Sequence, residues 1–77
     1  MEAKRIKIRG IVQGVGFRPF VFRIAEKYRL KGWVLNSSSS VIIHIEGESA
    51  NIEKFLISLM KEKPAPAVID DIIVEES

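Results

Sequence analysis

Residues 10–18 read Gly-Ile-Val-Gln-Gly-Val-Gly-Phe-Arg, and Pro19 follows directly. Three glycines interrupt an apolar stretch, and glycine reaches backbone conformations closed to other residues. Proline is the residue best tolerated in the first turn of a helix. The stretch therefore reads as a strand, a tight turn and a helix start. Such a turn leaves peptide N–H groups without intrahelical acceptors where the helix dipole is positive, a setting suited to an anion such as phosphate. Arg18 adds a planar, permanently charged fork at the same place. On the plainer reading the glycines only permit the turn and Arg18 is solvated. An arginine at a helix N-terminus nevertheless opposes the dipole, and a local conflict of that kind points to an anionic partner.

Upstream of the turn, Lys4 to Val12 alternates, with Ile6, Ile8 and Val12 on one face and Arg5, Lys7 and Arg9 on the other. That is a strand with one buried face. Downstream, Phe17, Phe20, Val21, Ile24, Ala25 and Tyr28 recur at helical spacing, which predicts an amphipathic helix from about Pro19 to Tyr28. Gly32 closes that region, Trp33 to Asn36 reads as a short apolar strand, and Ser37 to Ser40 reads as a hairpin loop. Val41 to Glu46 alternates again and forms the next strand. Ser49 is the expected N-cap of a second helix whose core stripe is Ile52, Phe55, Leu56, Leu59 and Met60. Pro64 and Pro66 stop it, and a last strand covers about Val68 to Glu75, with a bulge or bend expected at Asp70 and Asp71.

The order is β-α-β-β-α-β, which predicts an α+β, ferredoxin-like sandwich: a four-stranded antiparallel sheet with two helices on one face. In that topology the third strand lies between the first two, so the first two run in the same direction and end at the same edge of the sheet. Asn36 then stands beside the glycine turn, two strand spacings of ~4.8 Å away. A site made of backbone N–H groups, Arg18 and Asn36 follows.

The composition narrows what such a site can do. A single domain of 77 residues, 47% hydrophobic and 29% charged, has room for one core. No cysteine and one histidine leave no basis for a thiolate or His-based metal cluster, so neither metal nor cofactor is expected. A net charge of +2 is far below that of a dedicated nucleic-acid binder, and Lys7, Arg9, Ile42 and His44 supply no aromatic platform on the outer faces of the first and third strands. No nucleic acid is expected as a partner. There is no apolar run of membrane-spanning length, so no membrane partner is expected either, and the chain reads as cytoplasmic. His44 reads as a surface residue without a task. A P-loop needs Lys-Ser/Thr where Phe17-Arg18 stands, and a dinucleotide fingerprint needs glycine at Pro19 and an acid at Asn36.

Gly10 to Arg18 resembles the acylphosphatase signature, and Gly32-Trp-Val-Leu-Asn36 resembles that family's second motif at the expected separation. Glu46-Gly47 and the segment from Ala67 to Asp70 extend the likeness over nearly the whole chain. The resemblance implies hydrolysis of a carboxyl–phosphate bond. It also implies that the backbone of Gln13, Gly14, Val15, Gly16, Phe17 and Arg18 cradles the phosphoryl group, that Arg18 binds its oxygens, and that Asn36 orients the attacking water. The ligand is then a small acyl phosphate or inorganic phosphate, with no protein general base, the substrate phosphate itself helping to accept the proton.

A narrower likeness exists as well. Phe17-Arg-Pro-Phe-Val21, Asn36-Ser-Ser-Ser-Ser-Val41 and Pro64-Ala-Pro-Ala-Val-Ile-Asp70 are similar to the N-terminal domain of HypF-type hydrogenase-maturation carbamoyltransferases. That likeness implies carbamoyl phosphate as substrate, downstream domains of the same polypeptide and a hydrogenase-maturation partner protein. A stand-alone acylphosphatase of broader range and a catalytically silent phosphate-binding or interaction domain remain open readings. Acylphosphatases usually carry one more strand than the sequence provides up to Ser77, so an open sheet edge is expected.

Overall fold

The computed structural model describes residues 1–77 throughout. Its elements are β1 (Glu2–Ile11), α1 (Phe17–Lys27), β2 (Lys31–Ser37), β3 (Ser40–Gly47), α2 (Ser49–Lys61) and β4 (Val68–Glu76). The strands form one sheet in the order β2-β3-β1-β4, and every neighbouring pair is antiparallel. β1 and β2 therefore run the same way on either side of β3, the ferredoxin-like arrangement that the sequence predicts. Strands β2 and β4 are the edges.

The period-two pattern of β1 and β3 decides which face is covered. Ile6 pairs with Ile43, Ile8 with Val41, and all four are fully buried, as is Ile45. They meet Phe17, Phe20, Val21 and Ile24 of α1 and Ile52, Phe55 and Leu59 of α2 in one core cluster. Each such side chain stabilises the fold by about 1.5–3 kcal/mol relative to exposure, so this face holds the molecule together. The opposite face is open and carries Arg5, Lys7 and Arg9 of β1 with Trp33 and Leu35 of β2, the latter two roughly half-exposed.

Several local expectations shift. α1 begins at Phe17, two residues before Pro19, because the left-handed Gly16 (φ 77°) turns the chain directly into the helix. Gly32 lies inside β2 instead of ending the region before it. Its φ of 146° and its close approach to β3 explain the residue: an added Cβ would overlap the His44 carbonyl. The serine loop shrinks to a two-residue turn, Ser38–Ser39, since Ser37 and Ser40 pair across the hairpin. Ser40 Oγ closes the turn on the Ser37 carbonyl at 2.9 Å.

In α2 the N-cap is Glu48, not Ser49. Its extended backbone presents a carbonyl that accepts from the N–H groups of both Asn51 and Ile52 at 3.0 Å, so no side-chain cap forms. Met60 is exposed and leaves the expected stripe, because it lies about 100° around the helix from the buried Leu59. Ser58 takes a buried place instead, bonded to the Tyr28 hydroxyl at 2.9 Å and to Glu62 at 3.2 Å. The expected bulge is present. β4 pairs Asp71 with Arg9 but Ile69 with Gly10, which leaves Asp70 as the extra residue. No helix is long and apolar enough to cross a membrane.

Candidate functional site

The first strand delivers the chain at its C-terminal end into residues 12–16, between Ile11 and the first residue of α1. Gly14 (φ 73°) and Gly16 (φ 77°) both adopt the left-handed conformation, which costs an L-residue roughly 1–2 kcal/mol. A Cβ on either would meet nothing within 4 Å, so these glycines are required by backbone shape and not by crowding. Val12 and Val15 turn their side chains to the core and anchor the loop from below. Phe17 does the same at the helix start, with its ring 5.7 Å from that of Phe20.

The consequence is electrostatic. None of the backbone N–H groups of residues 13–18 donates a hydrogen bond within the protein; the first helical donor there is Phe20, to the Gly16 carbonyl at 3.3 Å. Gly16 caps α1 without a side-chain bond, and the first turn has no acidic residue. The positive end of the helix dipole is thus left without an internal counter-charge. Arg18 is exposed and forms no ion pair, which adds a full positive charge to the same end.

These residues line an open pocket of about 250 Å³ together with Asn36: Val12, Gln13, Gly14, Gly16, Phe17, Arg18 and Pro19 form the rest of its wall. The structure therefore brings the turn, Arg18 and Asn36 together as the topology predicts. Of the six expected cradle positions, Val15 alone is not in the wall, since its side chain packs on the core. Asn36 reaches the pocket from the helix-covered face of β2, where it pairs with Val41. No carboxylate and no imidazole stands in the wall, so the site can bind and orient an anion but holds no side-chain general base.

His44 lies elsewhere. On the open face its Nε2 is 2.8 Å from Glu46, its Nδ1 is 3.2 Å from the Ser77 hydroxyl, and its ring stacks on Trp33 with centroids 5.6 Å apart. Arg5 sits over the same indole. Trp33 thus supplies one aromatic to that face from the edge strand β2, while the first and third strands carry none. A second, apolar groove of about 140 Å³ between α1 and β2 is lined by Phe22, Leu30 and Val34 among others and contains none of the expected site residues.

One contact at the site escaped the sequence. The Gln13 side-chain amide donates to the carbonyls of Ser38 (2.7 Å) and Ser40 (3.0 Å), across the gap to the β2–β3 turn. The only signal for it in the sequence is an amide at the start of a glycine turn that must lie next to a serine hairpin.

Comparison with known proteins agrees with this geometry. The family model described as acylphosphatase matches residues 4–77. The chain is 53% identical over 72 residues to a protein of Methanocaldococcus jannaschii named probable carbamoyltransferase HypF, covering 94% of this chain and 9% of that protein. It is 45% identical over 78 residues to a Thermotoga maritima acylphosphatase, covering all of this chain and 86% of that protein. A crystal structure of full-length HypF, described as phosphate- and nucleotide-bound, superposes with a TM-score of 0.96 at 54% identity, over 99% of this chain and 10% of that one. The chain thus spans about a tenth of the length of the HypF proteins it matches.

Proposed function

The chain belongs to the acylphosphatase family, and from that premise we propose that its pocket hydrolyses the carboxyl–phosphate bond of an acyl phosphate, with carbamoyl phosphate as the preferred substrate. The observation that carries the reading is the run of unpaired backbone N–H groups at residues 13–18, with Arg18 at its end and Asn36 across the pocket.

In this reading the phosphoryl oxygens accept hydrogen bonds from that run of amides, and the Arg18 guanidinium neutralises their charge. Phosphoryl transfer needs little beyond positioning and charge stabilisation, so a wall without an acid–base pair suits it. The Asn36 amide holds a water in line with the bond to be broken. Water oxygen attacks phosphorus, the bond from phosphorus to the acyl oxygen breaks, and the electron pair leaves with the carboxylate. A phosphoryl oxygen takes up the proton released by the water. Carbamoyl phosphate and water give carbamate and inorganic phosphate, and carbamate is stable enough as a leaving group to need no protonation by the protein.

Two features support carbamoyl phosphate over other acyl phosphates. The Methanocaldococcus jannaschii HypF protein is 53% identical to this chain against 45% for the Thermotoga maritima acylphosphatase, and the pocket wall has only two hydrophobic members, which favours a small polar acyl group. As part of a longer HypF-type polypeptide the domain would pass carbamate to the domains that follow. The alternative, an acylphosphatase of broader range, draws on the 86% of the Thermotoga enzyme that this chain covers. Steady-state hydrolysis of carbamoyl phosphate and benzoyl phosphate decides between them. A higher kcat/KM for carbamoyl phosphate is expected, equal values would favour the broader enzyme, and phosphate binding without turnover of either would leave a binding module.

A further inference from the structure

The double hydrogen bond from Gln13 is a tie between the two halves of the pocket. No other hydrogen bond joins residues 12–18 to residues 36–41. The first half is the amide run that begins at Gln13; the second is the β2–β3 hairpin, in which Ser38 and Ser40 stand two and four residues beyond Asn36. β1 does not itself pair with β2, because β3 lies between them. The ladder from β1 to β3 ends at Arg9 and Ser40, before the turn begins. The hairpin tip is therefore tied to the glycine turn through one amide group. Ser38 at that tip holds a left-handed backbone (φ 52°) unusual for a serine, a conformation that the bond to its carbonyl helps to retain.

From this geometry we infer that Gln13 is a positioning residue, which sets the distance from Asn36 to the amide run through its two side-chain hydrogen bonds. The inference rests on the hydrolytic reading above. Gln13 acts through Asn36 and not on the phosphoryl group by its side chain, because the Nε2 hydrogens are both spent on Ser38 and Ser40. Loss of the tie leaves the amides and Arg18 able to bind phosphate while the water loses its orientation. A misplacement of about 1 Å from outside the reacting atoms can cost on the order of 100-fold in rate.

The test is a double-mutant cycle with benzoyl phosphate. Gln13→Met keeps the length of the side chain and removes both donors; Gln13→Asn keeps the amide and shortens its reach, giving a second, independent cut of the tie. Each is expected to lower kcat about 10- to 100-fold, with inhibition by inorganic phosphate changed less than threefold (about the reach of a surface substitution). In combination with Asn36→Ala, Gln13→Met should add nothing to the loss seen for Asn36→Ala alone, since both remove the same function. Amide hydrogen exchange of residues 37–41 should accelerate in Gln13→Met while β1 and β4 stay protected. Additive losses, or phosphate inhibition weakened as much as kcat, would overturn the inference. A wild-type chain without turnover would overturn the hydrolytic reading instead. The exchange data then decide the tie alone, and unchanged hairpin exchange would refute it.

Discussion

Replacing Gly16 and Gly32 by alanine, one at a time, separates backbone shape from crowding. At Gly16 the added methyl has open space around it, and the cost is conformational alone. An alanine held at φ 77° costs about 1–2 kcal/mol. The alanine also stiffens the unfolded chain, which offsets about 0.4–1 kcal/mol of that. The net loss is about 1 kcal/mol, which in a domain of this size lowers Tm by about 4–8 °C. At Gly32 the methyl overlaps the His44 carbonyl oxygen and stands 2.7 Å from its carbon, inside the ladder between β2 and β3. The strands would have to part, and the loss should exceed about 4 kcal/mol, the range reached only by severe steric or core damage. Thermal unfolding followed by circular dichroism measures both. Gly16→Ala should melt cooperatively a few degrees early with turnover reduced more than about tenfold, while Gly32→Ala should melt more than about 15 °C early. Equal melting temperatures for the two variants would refute the distinction.

Other expectations follow from single contacts. Arg18→Ala should lower turnover by about 100- to 1000-fold, the usual effect of losing one preorganised electrostatic donor, while Tm stays close to wild type because the side chain is exposed and unpaired. Phe55→Ala, at a fully buried position, should cost about 3–5 kcal/mol in urea unfolding. Lys4 hydrogen-bonds Glu76, which raises its pKa above the ordinary 10.5. A cation held by its partner in the folded state stabilises the fold below the unfolded pKa and ceases to as pH rises through the folded value. The Tm difference between wild type and Lys4→Met should therefore be constant from neutral pH to about pH 10 and vanish above the raised value. A difference that persists at still higher pH would point to packing of the lysine stem instead.

The fold was legible because the strongest signals are periodic and mutually consistent. Ile6 and Ile8 alternate, Val41, Ile43 and Ile45 alternate, and the two helical stripes carry enough apolar residues to cover one sheet face. From that order alone the strand topology brings Asn36 to the glycine turn, and the pocket contains both. The errors lie where several solutions satisfy the same local chemistry. Glu48 and Ser49 can each begin a helix, and the backbone carbonyl of Glu48 settled the matter. Met60 fits the spacing of the core stripe, yet it is exposed and Ser58 takes a buried place, because Tyr28 and Glu62 satisfy its hydroxyl. The Gln13 tie was illegible because it joins residues 25 and 27 positions apart, across a turn that reads as four residues in the sequence and closes in two.

If water attacks the phosphorus of a group held by the amides of residues 13–18, Arg18 and Asn36, the oxygen of that water must end in inorganic phosphate. Hydrolysis of benzoyl phosphate in water enriched in oxygen-18, run beside Arg18→Ala and Asn36→Ala, follows that oxygen. The label should enter inorganic phosphate and not benzoate, and both substitutions should nearly abolish its appearance while the fold persists. Label in the benzoate carboxylate, or turnover unchanged in Arg18→Ala, would contradict attack at phosphorus in that pocket.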